Sequence, residues 1–511
     1  MIIRIDGDIN RYYIQTLCML FFPGASFPED EEPAPGVPEL SMSLKKTNTG
    51  WTAVTDVSLD GKNAHAERSR QSGADISEER CKKLAVGDSV VSALGELMEY
   101  RPSWGVLTGV RPSKVATEFL NSGTSKTRTK KILTHDYLVI PKKADLAVAV
   151  ALNEQRIIGK PSPRDCSLYI SIPFCPSRCA YCSFVSYTSK KLLSLIPDYV
   201  VRLQRDIHEM ISVIKENGLR IRTVYFGGGT PSILDCDTLT RLLAFVSEEL
   251  GDNLPEEYTF EAGRPDTITA EKLSVMKRFG VGRISVNPQT LCPDVLEGIG
   301  RHHSVEDFYR AYTLARESGI GIVNTDLIAG LPGDSFKTFS ATVDGIVALA
   351  PENITVHTFC VKRSAELKLS ENIYSMRGGD AGKCVDYSQI KLQQAGYIPY
   401  YMYRQKNTVG NFENVGFSVP GMEGRYNIYM MEEVHSIFAV GAGAVTKCVR
   451  LAGDGAEKTV IRRFFNPKYP YEYLREENCS GLIRAVREFY SDGPQSAAAG
   501  SGSPKGSEDE T

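Results

Sequence analysis

The sequence predicts an α/β protein built on a partial, TIM-like (β/α)6 barrel, with an N-terminal α/β domain and a C-terminal α+β extension. Three observations predict it. Between about residues 160 and 361, six short apolar runs alternate with amphipathic stretches of helical period. The stretches between the runs are long enough for right-handed crossovers, which set the strands parallel. Cysteine, glycine and polar residues gather where successive strands end, the face on which such barrels carry their chemistry.

The first strand is Leu168–Phe174, a continuous apolar run that reads as buried, and Asp198–Asn217 is its helix. Thr223–Phe226 comes next, closed by Gly227-Gly228-Gly229-Thr230-Pro231 and followed by the helical stretch Thr238–Glu249. Tyr258–Ala262 ends with Glu261 and leads to Ala270–Phe279. Arg283–Asn287 is followed by Gln289 and by the helical stretch Val305–Ser318. Ile322–Ile328 carries Asp326 late in the strand and precedes Phe336–Leu349. Ile354–Phe359 is the sixth strand. Five successive strand ends therefore aim chemically able groups at one mouth.

Outside the barrel (residues 160–361), residues 1–150 read as an α/β domain of unknown role, in which the basic run Lys126 to Lys131 is expected to be a solvated loop. Residues 362–490 form a C-terminal domain expected to contribute to the substrate site, and 491–511 read by composition as a disordered tail.

Composition excludes some classes. A chain of 511 residues with 42% hydrophobic and 24% charged residues is that of a soluble globular protein able to bury a large core. A net charge of −3 argues against an extended nucleic-acid-binding surface. No apolar run approaches the roughly 20 residues that cross a bilayer. The start, M-I-I-R-I-D-G-D, lacks a basic n-region, so a cytoplasmic protein without a signal peptide is expected.

Cys175, Cys179 and Cys182 follow the first strand in S-I-P-F-C-P-S-R-C-A-Y-C. Three thiolates on one loop can hold three irons of a [4Fe–4S] cluster and leave the fourth open for chemistry. Zinc is the alternative, but it needs a fourth ligand, and Cys166 lies at the far end of the strand. A disulfide is disfavoured in a reducing compartment. The other nine cysteines show no pairing pattern and read as ordinary buried thiols.

The C-x3-C-x2-C spacing, with an aromatic before the last cysteine, resembles the radical S-adenosylmethionine (SAM) superfamily. Together, Y-I-S-I-P-F-C, Y-F-G-G-G-T-P-S and D-L-I-A-G-L-P resemble the oxygen-independent coproporphyrinogen III oxidase family over residues 166 to 361. Three flanking motifs extend the resemblance to its HemZ-type branch over nearly the whole chain. They are W-G-V-L-T-G-V-R-P-S-K-V (Trp104 to Val115), the block Tyr400 to Phe417, and F-A-V-G-A-G-A-V-T-K (Phe438 to Lys447).

The resemblance implies a [4Fe–4S] cluster on the three cysteines, with SAM chelated by the open iron and cleaved to a 5′-deoxyadenosyl radical. It implies that Gly227, Gly228, Gly229 and Thr230 form the SAM amine-binding loop, that Glu261 binds the methionyl amine and that Arg301 grips the carboxylate. Gln289 and Asp326 match positions near the nucleoside and ribose, Tyr181 the aromatic flanking adenine, and Tyr169 a tyrosine near SAM and the cluster. Tyr169, Glu261 and Arg301 are thus the catalytic set. The implied reaction is oxidative decarboxylation of coproporphyrinogen III, a tetrapyrrole, to protoporphyrinogen IX, with a one-electron reductant such as flavodoxin or ferredoxin as partner.

Such a substrate carries four carboxylates, and arginine is the best bidentate partner for them. Arg111, Lys114, Arg404 and Lys406 are the candidate clamps, with a solvated surface role as the alternative. Tyr400, Tyr401 and Tyr403 stand either against a tetrapyrrole or in the core, and His302 and His303 read as loop residues. Phe184 replaces the fourth cysteine of the best-known coproporphyrinogen oxidases, and Ser171 replaces one of their histidines. Related haem chaperones and haem-cleaving radical SAM methyltransferases also lack that cysteine, so both functions stand beside the decarboxylase.

Overall fold

A computed structural model describes residues 1–29, 34–72, 76–109, 111–182, 186–360, 379–405, 408–453, 458–475 and 480–491. Phe184, Lys406 and the stretch assigned to a tail, from residue 492 on, lie outside the described residues.

The chain opens with a sheet of four strands, β1 (Ile2–Asp6), β2 (Glu39–Lys46), β3 (Gly50–Leu59) and β4 (Lys62–Gln71), paired in that order. β1 and β2 are parallel and the rest antiparallel. In β3, Ala53, Thr55 and Val57 alternate onto the buried face, as the period of two requires. The helix Glu78–Leu97 covers β3 and β4. Ser77 starts that helix by accepting the Arg80 N–H, and the Ser89 hydroxyl donates to Thr55 at 2.7 Å.

Helices Pro112–Asn121, Lys126–His135 and Pro141–Ile158 follow. The basic run Lys126 to Lys131 is therefore helical rather than a loop. Ser125 caps it by accepting the Arg128 N–H, Thr129 and Leu133 are buried beneath it, Lys126 and Lys131 are exposed, and half-buried Lys130 pairs with Asp145. The domain edge drawn at residue 150 falls inside the third helix, whose Ala-, Val- and Leu-rich run continues until Gly159 at φ 59° stops it.

The second sheet begins with β5 (Asp165–Ile172), β6 (Arg220–Gly228), β7 (Glu257–Phe260), β8 (Arg283–Ser285), β9 (Ile322–Ala329) and β10 (Asn353–Thr358). Each pairs in parallel with the next, in chain order, as the barrel reading requires. The helices between them have explicit starts. Asp235 caps Cys236–Leu250, while Ser304 and Ser335 make reciprocal capping boxes at Val305–Glu317 and Phe336–Leu349.

Five further strands extend the sheet: β11 (Ile398–Tyr403), β12 (Asn414–Ser418), β13 (Ser436–Val440), β14 (Val445–Arg450) and β15 (Val460–Phe465). The full order is β11-β12-β10-β9-β8-β7-β6-β5-β13-β14-β15. β13 adds a seventh parallel strand beside β5, pairing Phe438 with Leu168. That pairing joins segments far apart in sequence, so no local pattern announces it.

A buried polar knot fastens the leader to the C-terminal segment. Lys143 Nζ donates to Glu413 Oε1 at 2.5 Å, and the Trp104 indole and Gln389 amide donate to the same carboxylate at 2.8 and 2.6 Å. Both Lys143 and Glu413 side chains are 0% exposed.

Candidate active site at the strand ends

β5 runs directly into the cysteine loop, and its register with β6 sets Ser171 against Gly227 and Ile172 against Gly228. The two strand ends touch so closely that side chains do not fit between them. A Cβ on Gly229 would lie 2.6 Å from the Phe174 carbonyl, and one on Gly228 would lie 2.8 Å from Ser171 Oγ. Gly228 also sits at φ 106°. At Gly227 a Cβ would lie 3.1 Å from both Glu261 Oε2 and the Tyr169 hydroxyl, so the missing methyl leaves a hollow against those groups.

Thr230 ties this turn to the cysteines. Its N–H donates to the Phe174 carbonyl at 2.8 Å, and its hydroxyl lies 3.2 Å from Cys175 Sγ. The Cys182 N–H donates to the Cys179 carbonyl at 3.0 Å, and the Ala180 N–H to the Ile299 carbonyl at 3.0 Å.

Arg264 braces the loop from the β7 side. Its Nη1 donates to Ser177 Oγ at 2.9 Å and lies 3.8 Å from Cys179 Sγ, while Nε and Nη2 donate to the Asp266 carboxylate at 3.0 and 3.1 Å. Cys166 is buried near the start of β5, about 20 Å from the strand's end at ~3.3 Å per residue. It belongs to no common site with the loop. Among the described residues no three metal-ligating side chains converge on one point.

Glu261 follows β7, its N–H bonded to the Phe226 carbonyl at 3.0 Å. Burial pushes its carboxyl up to about 7, against a hydrogen bond donated by the Tyr225 hydroxyl and with Asp326 adding to the rise. Tyr225 stacks on Tyr426 at 4.3 Å between centroids, and Tyr169 stacks on both at 6.0 and 6.1 Å.

Arg301 is buried across the mouth. Its Nη2 donates to the Tyr181 hydroxyl at 3.2 Å, and its Nη1 to the Asn287 and Gly263 carbonyls at 3.2 and 3.4 Å. Among the described residues, every hydrogen-bond partner of this cation is neutral. His303, behind it, is buried with both ring nitrogens unpartnered, and burial together with Arg301 pushes its ring down to about 4. Gln289 holds a left-handed backbone at φ 67°, and its buried Oε1 has no partner. Asp326 accepts from Asn287 and Asn324, each at 2.8 Å, and despite burial His357, Asn324 and Thr355 hold its carboxyl below the usual range.

The structure thus brings together Tyr169, Cys175, Cys179, Tyr181, Cys182, Gly227, Gly228, Gly229, Thr230, Glu261, Gln289, Arg301 and Asp326 at one end of the sheet. It does not bring Arg111 and Lys114 there. Arg111 bonds the Met431 carbonyl and lies 3.1 Å from Glu433, just ahead of the start of β13, at the opposite end. Lys114 is exposed and acts on Glu432. Arg404 follows β11 on the same side as the cysteines, donating to the Leu107 carbonyl at 2.5 Å with its Nε unpartnered. Burial pulls its guanidinium down to about 10. Tyr400 and Tyr401 are core residues, and the Tyr401 ring occupies the space a Cβ on Gly416 would need.

Tyr225, Asn287 and Arg264 escaped the sequence reading, although Arg264 stands three residues after Glu261 in E-A-G-R-P-D. Tyr426 arrives from the first turn of the helix Arg425–Glu432, whose N–H groups Glu257 anchors, and no local signal marks it.

The profile of the radical SAM superfamily matches residues 169–346. Over 490 residues the chain is 34% identical to the oxygen-independent coproporphyrinogen-III oxidase-like protein HemZ of Bacillus subtilis, covering 93% of this chain and 95% of that protein. The chain belongs to the HemZ family of radical SAM proteins. It is also 28% identical over 335 residues to the heme chaperone HemW of Bacillus subtilis, covering 63% and 84% of the two chains. Among solved structures, the HemN coproporphyrinogen III oxidase of Escherichia coli aligns with a TM-score of 0.43 at 21% identity, over 58% of this chain and 67% of that one.

Members of this superfamily use a [4Fe–4S] cluster and SAM, and the residues present fit both. The loop offers three thiols beside N–H and O–H donors. The hollow at Gly227 faces an acid, the buried Arg301 has only neutral partners, and Gln289 Oε1 has none. A zwitterionic amino-acid moiety supplies an ammonium and a carboxylate that match Glu261 and Arg301.

Proposed function

We propose that the protein decarboxylates coproporphyrinogen III oxidatively to protoporphyrinogen IX. Two propionates each lose a β-hydrogen atom, CO2 and one electron, and become vinyl groups. What carries this reading is the presence at the strand ends of the acid Glu261 and of the neutrally bonded cation Arg301, each without the other as partner, beside three thiols. The name of the Bacillus subtilis relative supplies the substrate class.

Cys175, Cys179 and Cys182 would hold the cluster, and Glu261, Arg301, Gln289, Asp326 and the glycine turn would hold SAM. Together these groups supply a carbon radical, generated with one electron, that abstracts hydrogen. The chain's own residues do the rest. Glu261, ionised, takes the amine; Arg301 takes the carboxylate; Tyr181 orients Arg301 through its hydroxyl. The Tyr169–Tyr225–Tyr426 stack closes the barrel interior beneath them and excludes water from the reacting carbon. The C-terminal segment, which contributes Tyr426 and Arg404, would form part of the substrate side, with Arg404 as the propionate clamp on the cysteine side.

Coproporphyrinogen deuterated at the propionate β-carbons tests this reading. Deuterium should appear in 5′-deoxyadenosine after anaerobic incubation, and its absence alongside SAM cleavage would overturn the substrate. The likeness to HemW supports a second reading, haem delivery on the same barrel. Stoichiometric haem binding without porphyrinogen turnover would select it.

A further inference from the structure

Beside the cysteine loop, aromatic side chains run outward in a row that the proposed reaction leaves unused. The Tyr187 N–H donates to the Pro173 carbonyl at 2.9 Å, and its carbonyl accepts the Cys175 N–H at 3.1 Å. Tyr187 is therefore fixed one backbone hydrogen bond from the first thiol of the loop. Its hydroxyl donates to the Lys468 carbonyl at 3.2 Å, and its ring lies 5.7 Å from that of Tyr469. Tyr469 in turn stacks on Tyr471 at 5.4 Å.

The outer end of this row is open. Tyr469 and Tyr471, stacked on each other, are 45% and 46% exposed. Apolar residues scattered singly over a surface need no explanation, but a contiguous group marks a contact site. Tyrosine is also among the residues enriched in interface cores.

Positively charged residues lie near Tyr187, at the inner end of the row. Lys190 and Lys191 are exposed at the short helix Lys190–Leu193, within about 14 Å of Tyr187 along even a fully extended chain. Arg178, from the cysteine loop, acts electrostatically on Tyr187, and Lys468 stands next to Tyr469. Among the described residues, the acid that acts on Tyr187 is Glu472, which is partly buried.

We infer that this face docks a small acidic one-electron carrier protein, which reduces the centre at Cys175, Cys179 and Cys182. The inference rests on the proposed function, because that reaction needs an electron delivered to those thiolates. Its own support is the basic group near Tyr187, complementary to an acidic partner, and the aromatic row beside the loop. The step moves one electron only. A flavin hydroquinone on the carrier becomes a semiquinone, the cluster is reduced by one electron, and no bond forms or breaks. Charge around such a patch raises the encounter rate and makes it fall with salt.

The test uses full-length, anaerobically reconstituted protein and flavodoxin hydroquinone, with cluster reduction followed by stopped-flow absorbance. Lys190→Glu/Lys191→Glu and Tyr471→Ala should keep wild-type iron content and wild-type reduction by dithionite. The second-order rate with flavodoxin should fall at least tenfold in the charge-reversed variant, with a flattened salt dependence. An unchanged rate and salt slope in both variants would overturn the inference. So would a concentration-dependent dimer that Tyr471→Ala abolishes while flavodoxin reduction stays normal, because a second copy would then cover the face. Wild-type protein that binds no cluster would overturn the proposed function itself, and the docking face with it.

Discussion

The Tyr225 hydroxyl donates to the Glu261 carboxylate at the mouth of the barrel, and that bond opposes the burial that sets the pH range in which the acid can meet a cation. Burial pushes Glu261 up to about 7, and the Tyr225 bond opposes that rise. An ammonium partner requires the ionised form, so binding below that value must expel a proton. SAM affinity is expected to be level above about pH 7.5 and to weaken roughly tenfold per unit below about pH 6.5. Tyr225→Phe should move the break to higher pH. Calorimetric titrations across that range decide it, and a flat profile from pH 5.5 to 8.5 would separate Glu261 from the amine.

Arg301 makes a prediction of opposite charge. Its guanidinium already has neutral partners in place, so removing it should cost carboxylate binding and take from the loop only the bond to Tyr181. Arg301→Ala should weaken SAM binding by about ten- to a hundredfold, the equivalent of about 1.5–3 kcal/mol for a hydrogen bond to a charged group. Iron and sulfide content should stay at the wild-type level. Unchanged affinity would place the carboxylate elsewhere.

The cysteines divide sharply. Alanine at Cys175, Cys179 or Cys182 should abolish the cluster absorbance of reconstituted protein, whereas Cys166→Ala should retain it, because Cys166 lies at the other end of β5. Full iron in any of the three loop variants, or its loss in Cys166→Ala, would contradict the assignment.

Stability should hinge on the knot at Glu413. Burial works against its charge, but Lys143, Trp104 and their hydrogen bonds hold its carboxyl below the usual range. Lys143→Ala would strand a buried carboxylate and is expected to cost about 3–5 kcal/mol. A Lys143→Met/Glu413→Leu double variant should recover much of that loss, since neither charge is left alone. Because the folded carboxyl titrates below the unfolded one, the ion pair stabilises fully above the unfolded value, and this is lost as pH falls through the folded value. Urea midpoints for the three proteins check the order. Equal midpoints for wild type and Lys143→Ala would dismiss the knot.

Much of the barrel was legible because its signals are local. The strand Leu168–Phe174 overlaps β5, and Phe336–Leu349 is a helix with the predicted bounds, marked by its Ser335 cap. The glycine triplet and Glu261 could be read because they follow apolar runs at fixed offsets. What sequence missed depends on distant chain. β13 lies beside β5 although the whole barrel segment separates them in sequence, and Tyr426 reaches Tyr225 from a helix anchored by Glu257. Arg111 looked like a clamp because its motif is basic, yet Glu433 and the Met431 carbonyl engage it. The lysines of 126–131 looked solvated, and Lys126 and Lys131 are, but on a helix that buries Thr129 and Leu133 and pairs Lys130 with Asp145.

The most direct measurement is mass spectrometry of coproporphyrinogen III after anaerobic incubation with reconstituted protein, SAM and a reductant. The product should be lighter by two CO2 and two pairs of hydrogens, formed in proportion to 5′-deoxyadenosine. SAM cleavage with the porphyrinogen untouched, or haem consumed in its place, would contradict the proposed decarboxylation.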